Sequence, residues 1–172
     1  PITSYQSGFN LIELMIVIFI SSLLVTIAVP GFREIFSNNQ SQSTAAELFR
    51  AFQMTRLEAI KRGAQVGICP LNSSLTSCNN GQWINGWNIF VDENRNGVFD
   101  QETDTLVTTH PALDTNIIVG PNNTAIIYNS SGFLLQGFGN YQVSSLNCTG
   151  NNVYQLNIAT NGRIGLTQSS CP

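Results

Sequence analysis

The sequence predicts an α+β protein: one long N-terminal helix packed on an antiparallel β-sheet head. Three features of the chain carry that expectation. Residues 9–29 form an apolar run with a single formal charge, Glu13. From Phe32 to Ile60 the apolar residues recur at helical spacing, and beyond Gly63 they switch to short β-branched and aromatic runs punctuated by Gly, Asn, Pro and Ser. Strands that succeed one another without intervening helices pair antiparallel.

Residues 1–8 read as a leader and are set aside from the fold. Pro1–Gly8 carries neither Met nor Lys nor Arg, so basic residues do not orient the apolar run. Phe9–Val29 spans 21 residues, enough at about 1.5 Å per residue to cross a hydrocarbon core about 30 Å thick. Pro30 and Gly31 should bend the helix without ending it, because proline removes a backbone hydrogen bond and crowds the preceding turn.

Beyond the bend, Phe32, Ile35, Phe36, Ala45, Leu48, Phe49, Phe52, Ala59 and Ile60 form a stripe, opposed by Arg33, Glu34, Gln40, Glu47, Arg50, Gln53, Glu58 and Lys61. Ser37–Thr44 is rich in poor helix formers and marks a second weak point. Gly63 is a natural C-cap, and Lys61 and Arg62 suit the negative end of the dipole. A helix over 9–62 would be roughly 80 Å long. Residues 63–172 then make one head of ordinary domain size. Its expected strands are Gln65–Cys69, Gln82–Val91, Thr105–Thr109, Asn116–Val119, Thr124–Asn129, Gly132–Leu135, Tyr141–Ser145, Val153–Ile158 and Gly162–Thr167.

Glu13 makes the apolar run more than an anchor, since a carboxylate inside an apolar helix costs about 2.5 kcal/mol or more in lipid. No Lys or Arg precedes it. Its partner is therefore on another molecule or is an amino group created by cutting the chain nearby; at the membrane surface, the helix dipole alone would also favour an acid there. A small residue, Phe9, an apolar run with Glu at the fifth position, and a closing Pro30 together resemble the class III signal of type IV pilins and type II secretion pseudopilins. The resemblance implies prepilin peptidase cleavage between Gly8 and Phe9, methylation of the new amine, and neutralisation of that amine by Glu13 of a neighbouring subunit. It also implies a pilin-like fold, with residues 9–29 in the membrane or filament core.

Arg56-Leu57-Glu58-Ala59-Ile60-Lys61-Arg62 is similar to the second half of the long helix in the FimT/GspH group. Trp83-Ile84-Asn85-Gly86-Trp87 through Asp100 resembles a segment of the FimT and FimU heads. Physically the latter is a strand feeding a tight turn, with Asn96-Gly97 supplying positive backbone angles. The competing possibility is calcium: Asp92, Asn94, Asn96, Gly97 and Asp100 fall at positions 1, 3, 5, 6 and 9 of an EF-hand-like loop, but Thr103 stands where a bidentate Glu belongs. The turn is favoured and no metal site is expected.

The chain of 172 residues has a formal charge of −3 and only 10% charged residues. After Arg62, Arg95 and Arg163 face six carboxylates, a formal charge of −4. That disfavours a broad phosphate-binding face. Asn161-Gly162-Arg163-Ile164-Gly165 invites comparison with DNA-uptake minor pilins, whose Gly-Arg-x-Arg motif contacts DNA. Here Gly165 takes the second Arg position, and weak or absent DNA binding is expected.

Cys69, Cys78, Cys148 and Cys171 allow three pairings. Proximity favours Cys69 with Cys78 and Cys148 with Cys171, each worth about 2–4 kcal/mol. No C-x-x-C spacing accompanies the single histidine, His110, so disulfides are preferred over zinc. His110 reads as a surface loop residue, and no catalytic constellation or cofactor is expected.

The functional expectation is a non-enzymatic minor pilin of a type IV pilus, anchored in the bacterial inner membrane with its head in the periplasm. It would join the filament or its tip with other major and minor pilins. A minor pseudopilin of a type II secretion system and a filament-borne DNA receptor are the alternatives.

Overall fold

The computed structural model describes residues 10–78, 80–121 and 125–171, without the side chains of Pro30 and Arg33. Helix α1 spans Leu11–Arg62. It continues through Pro30 and through Ser37–Thr44, so neither expected weak point ends it. In the second stretch Ser41 and Ser43 donate their hydroxyls to the carbonyls of Ser37 and Gln40, satisfying them without breaking the helix. The chain divides into two compact units, Pro1–Phe36 and Ser37–Pro172.

Among the described residues, the second unit contains the end of α1 and nine strands: β1 (Val66–Pro70), β2 (Trp87–Val91), β3 (Thr105–His110), β4 (Ile117–Gly120), β5 (Ile126–Tyr128), β6 (Leu134–Gln136), β7 (Gly139–Ser145), β8 (Val153–Ile158) and β9 (Ile164–Ser169). They form two antiparallel sheets, ordered β3-β2-β1-β5-β6 and β4-β7-β8-β9. The expected strand Gln82–Val91 is divided: Trp83–Asn85 is a 3-10 turn and Gly86, at φ 92°, separates it from β2. A residue with a Cβ at Gly86 would run into the carbonyl oxygen of His110.

Strands β4, β7 and β8 alternate as half-buried strands should. Ile117 and Val119, Tyr141 and Val143, and Leu156 and Ile158 point inward. Strands β1 and β2 are buried along their whole length, because both faces of their sheet are covered. One face meets α1 and the second sheet in the main core, which contains Leu48, Phe52, Val66, Ile68, Trp83, Trp87, Ile126, Tyr128, Tyr141 and Leu156. The other face carries a smaller cluster of Cys69, Phe90, Phe99 and Ile127. Phe99 of the 92–104 connection belongs to this cluster and Cys78 packs against it, and Gln101 Nε2 donates to the Thr76 carbonyl at 2.6 Å.

Phe52 of α1 packs between the 3-10 turn and the second sheet. Its ring lies 5.5 Å from Trp83 and 5.4 Å from Tyr141, both edge to face. Trp83 and Tyr141 meet each other at 5.8 Å. The polar ends are satisfied, Trp83 Nε1 donating to the Pro121 carbonyl and the Tyr141 hydroxyl to the Gly137 carbonyl.

One turn further along α1, Arg56 donates Nε to the Gly132 carbonyl at 2.9 Å and a terminal nitrogen to the Asn161 carbonyl at 3.3 Å. Gly132 lies in the β5–β6 turn and Asn161 in the β8–β9 turn, so one guanidinium holds a turn from each sheet. Leu134 of β6 also donates its N–H to the Thr160 carbonyl. Gly162, at φ 77°, packs so close to Gly132 that a Cβ would lie 2.0 Å from its carbonyl oxygen. Helix α1 ends as a glycine cap, with Gly63 at φ 62° and the Ala64 N–H bonded to the Ala59 carbonyl. Disulfides join Cys69 to Cys78 and Cys148 to Cys171.

Truncating Phe52 removes the ring that packs against both Trp83 and Tyr141. The expected cost of Phe52→Ala is about 3–5 kcal/mol. Urea unfolding of the detergent-solubilised chain, followed by Trp83 and Trp87 fluorescence, measures it, and a loss below about 1 kcal/mol would contradict the placement.

Candidate functional site

The apolar helix of the first unit is the candidate site, and its start is built as a capping box. Asn10 accepts the Ile12 N–H on Oδ1 at 3.4 Å, and Glu13 Oε2 accepts the Asn10 N–H at 3.1 Å. Glu13 thus sits in the first turn, where the helix dipole favours an acid. Gly8 and Phe9 lie outside the described residues. Pro30 lies within α1.

Every described side chain from Asn10 to Phe36 is exposed, and Phe19, Ile27 and Phe36 are each more than 70% so. A contiguous apolar surface of this size is foreign to a soluble monomer. The polar groups inside it are internally satisfied: Ser21, Ser22 and Thr26 donate to the carbonyls of Val17, Phe19 and Leu23. The helix is long and apolar enough to cross a membrane. Its side chains can be covered by lipid or by the helices of neighbouring subunits.

On the head, β2 and β3 are connected by a 13-residue loop, 92–104. Asp92 is only 2% exposed and organises it, accepting the N–H groups of Asn96 and Gly97 and the Gln65 side-chain amide. The residues with positive φ are Arg95 and Gly97, at 62° and 77°, and not Asn96 as the Asn-Gly pair suggests. The Asp92 bonds to both amides pull the chain round one residue earlier. Asn96 and Asn94 each donate to Asp100, and Asp104 accepts the N–H groups of Glu93 and Asp100. The carboxylates therefore serve the loop's own donors, the Asn side chains first lowering the Asp100 pKa below the usual carboxylate range. The Asn116 N–H, aided by Gln40, does the same for Asp114 between β3 and β4.

His110 ends β3 and is not a loop residue. Its ring stacks on Trp87 at 3.9 Å with planes 8° apart, and Nε2 lies 3.6 Å from Glu47 Oε2. The spacing of Trp87 and His110 gave no warning of this contact, which the β2–β3 register places opposite one another. Arg163 is exposed at the start of β9, its backbone N–H bonded to Asn161 Oδ1. Arg56, which the sequence marked only as part of a helical motif, is the residue that unites the two turns.

A long helix with an exposed apolar first unit and a two-sheet head defines a helix-anchored, β-headed assembly subunit. The family model described as Type II transport protein GspH matches residues 44–162, and that of the prokaryotic N-terminal methylation motif matches residues 3–29. The chain belongs to the GspH family, the minor pilins and pseudopilins. Two crystal structures of the type IV minor pilin FimU of Pseudomonas aeruginosa PAO1 have similar folds. One, in space group P21, aligns with TM-score 0.54 and 18% identity over 75% of this chain and 89% of that one. The other, in P65, aligns with TM-score 0.52 and 18% identity over 73% and 91%. No individual curated protein matches the sequence. Family and fold are those of structural pilin subunits.

Because the Asp100 pKa is lowered by folding, its contribution to stability is present above the unfolded carboxylate pKa, near 4, and is lost as pH falls through the lower folded value. Asp100→Asn is expected to lower the melting temperature in the neutral region, where the ionised group contributes, to change it little at the lowest pH, and so to flatten the acid limb below about pH 4. An acid limb identical to that of the unaltered chain would remove Asp100 from this role. With Asp92 committed to three donors, calcium is expected to give neither heat in a calorimetric titration nor a rise in melting temperature; a saturable rise would instead identify 92–104 as a cation site.

Proposed function

We propose that the chain is a minor pilin of a type IV pilus, inserted in the bacterial inner membrane with residues 63–172 in the periplasm. Prepilin peptidase removes residues 1–8 by cutting after Gly8 and methylates the amine of Phe9. Residues 9–29 first hold the protein in the membrane. They then bury among the helices of other major and minor pilins in the filament or in the complex that initiates its tip. Glu13 neutralises the Phe9 amine of an adjoining subunit, and Pro30 gives the helix its bend. The two disulfides, Cys69–Cys78 and Cys148–Cys171, suit a head exposed to an oxidising compartment.

The observation that carries this reading is the wholly exposed apolar surface of residues 10–36, in a chain that carries the N-terminal methylation motif. The structural role follows the family, and Asp92, Asp100, Asp104 and His110 are engaged within the head's own fold. A minor pseudopilin of a type II secretion system is the second reading, favoured by the description of the matching family. The membrane helix would do the same work in both systems.

Glu13→Gln is expected to leave membrane insertion and stability of the chain intact while reducing its recovery in sheared filaments about tenfold. Mass spectrometry of the mature protein should find an N-methylated Phe9 at its start. Undiminished incorporation of the Glu13→Gln variant would refute the pairing, and a mature chain starting elsewhere would refute the processing step.

A further inference from the structure

A groove of about 440 Å³ runs between α1 and β9, lined by Gln53, Arg56, Leu57, Ile60, Arg163 and Ile164. On the α1 side it borders a solvent face where Arg50, Gln53, Met54, Leu57, Ile60 and Lys61 recur at the three- and four-residue spacing of helical neighbours, all of them exposed. Leu57, Ile60 and Met54 are 63%, 47% and 42% exposed, so apolar surface lies among the cations. Arg50, Arg56 and Arg163 have no carboxylate partner among the described residues, whereas Glu58 answers both Lys61 and Arg62. Arg56 donates to two main-chain carbonyls, which leaves its charge uncompensated and its other N–H groups available.

Most of the chain's positive charge is gathered here. Arg50, Arg56, Lys61, Arg62 and Arg163 are five of its seven Lys and Arg residues, and the carboxylates between Ala45 and Arg62 are Glu47 and Glu58. That makes a formal charge of +3 in a chain of −3. Neither acid answers the groove, since Glu58 is held by Lys61 and Arg62, and Glu47 lies 3.6 Å from His110 on the β3 side of the helix. The chain's own head is a poor source of the complement. Asp92, Asp100 and Asp104 accept bonds from loop 92–104 itself, exposed Arg95 stands among them, and Asp114 accepts the Asn116 N–H.

We propose that the α1–β9 groove docks an acidic segment with apolar side chains that belongs to a different subunit, its carboxylates meeting Arg163 and the available N–H groups of Arg56 and its apolar residues covering Leu57 and Ile60. Charge selects the sign of the partner, and the apolar wall selects a protein over a nucleic acid: a DNA duplex would use the guanidiniums but gain nothing from Leu57 and Ile60. The contact joins unlike chains and does not repeat along copies of this one, as a minor subunit requires, and in this the inference rests on the assembly reading.

The test is photocrosslinking of the full chain in its host cell, with benzoylphenylalanine replacing Gln53, an exposed residue of the groove. The peptide joined to it is sequenced from membrane and sheared-filament fractions. The expected adduct is with a different pilin-type subunit, through a peptide that mixes Asp or Glu with apolar residues. Arg163→Glu should lower the yield about tenfold without moving the melting temperature, Arg163→Lys should hold it within about threefold, and a Lys replacing the crosslinked acid should restore the yield of the Arg163→Glu chain. No adduct in either fraction, an adduct with a second copy of this chain, with DNA or with a peptide that lacks acids, or a yield unmoved by Arg163→Glu would overturn the proposal. A chain missing from filaments that still forms the expected adduct in the membrane would sink the assembly reading alone, and a chain present in filaments without the adduct would sink the docking site alone.

Discussion

Burial of one stripe of α1 between two sheets is the constraint on which the head depends. Ala45, Leu48, Ala51, Phe52 and Ala59 all lie within a single core with residues of both sheets. The alanines let the strands approach the helix, while Phe52 fills the space between Trp83 and Tyr141. Arg56 then uses one planar group to fix a turn from each sheet, a geometry that a lysine ammonium reproduces poorly.

The same helix has the opposite character in its first unit. From Asn10 to Phe36 the described side chains are exposed and mostly apolar. The energy of covering them is available only to lipid or to other subunits, and the membership of the GspH family supplies a reason for that design. Glu13 differs from its neighbours because its carboxylate is engaged by the Asn10 N–H, so the helix start is ordered before any partner arrives. A subunit of this kind stores its binding energy in an unpartnered helix and leaves the head to present surface features.

Those features depend on loops that local patterns describe badly. The Asn96-Gly97 pair points to positive backbone angles at both residues, yet with Asp92 bonded to both of their amides the left-handed residues are Arg95 and Gly97. His110 shows no motif in the sequence, and its stack on Trp87 exists only because β2 and β3 pair in a particular register. Arg56 could be recognised as part of a helical run, but its two carbonyl partners lie 76 and 105 residues away. Pairings at such separations leave no periodic trace. The 3-10 turn at Trp83–Asn85 divides a run that propensity alone reads as one strand, because Trp83 has to turn into the core toward Phe52.

By itself the sequence determined the α+β class, the apolar first half of the helix, the amphipathic stripe that succeeds it and the approximate position of all nine described strands. Each of these is a matter of period and composition over a few neighbouring residues. Only the tertiary structure decided that the strands divide into sheets of five and four, that Arg56 ties a turn from each, and that His110 stacks on Trp87. Those outcomes depend on which distant segments come to lie together, and that is governed by packing volume and by the satisfaction of buried hydrogen bonds across the whole head.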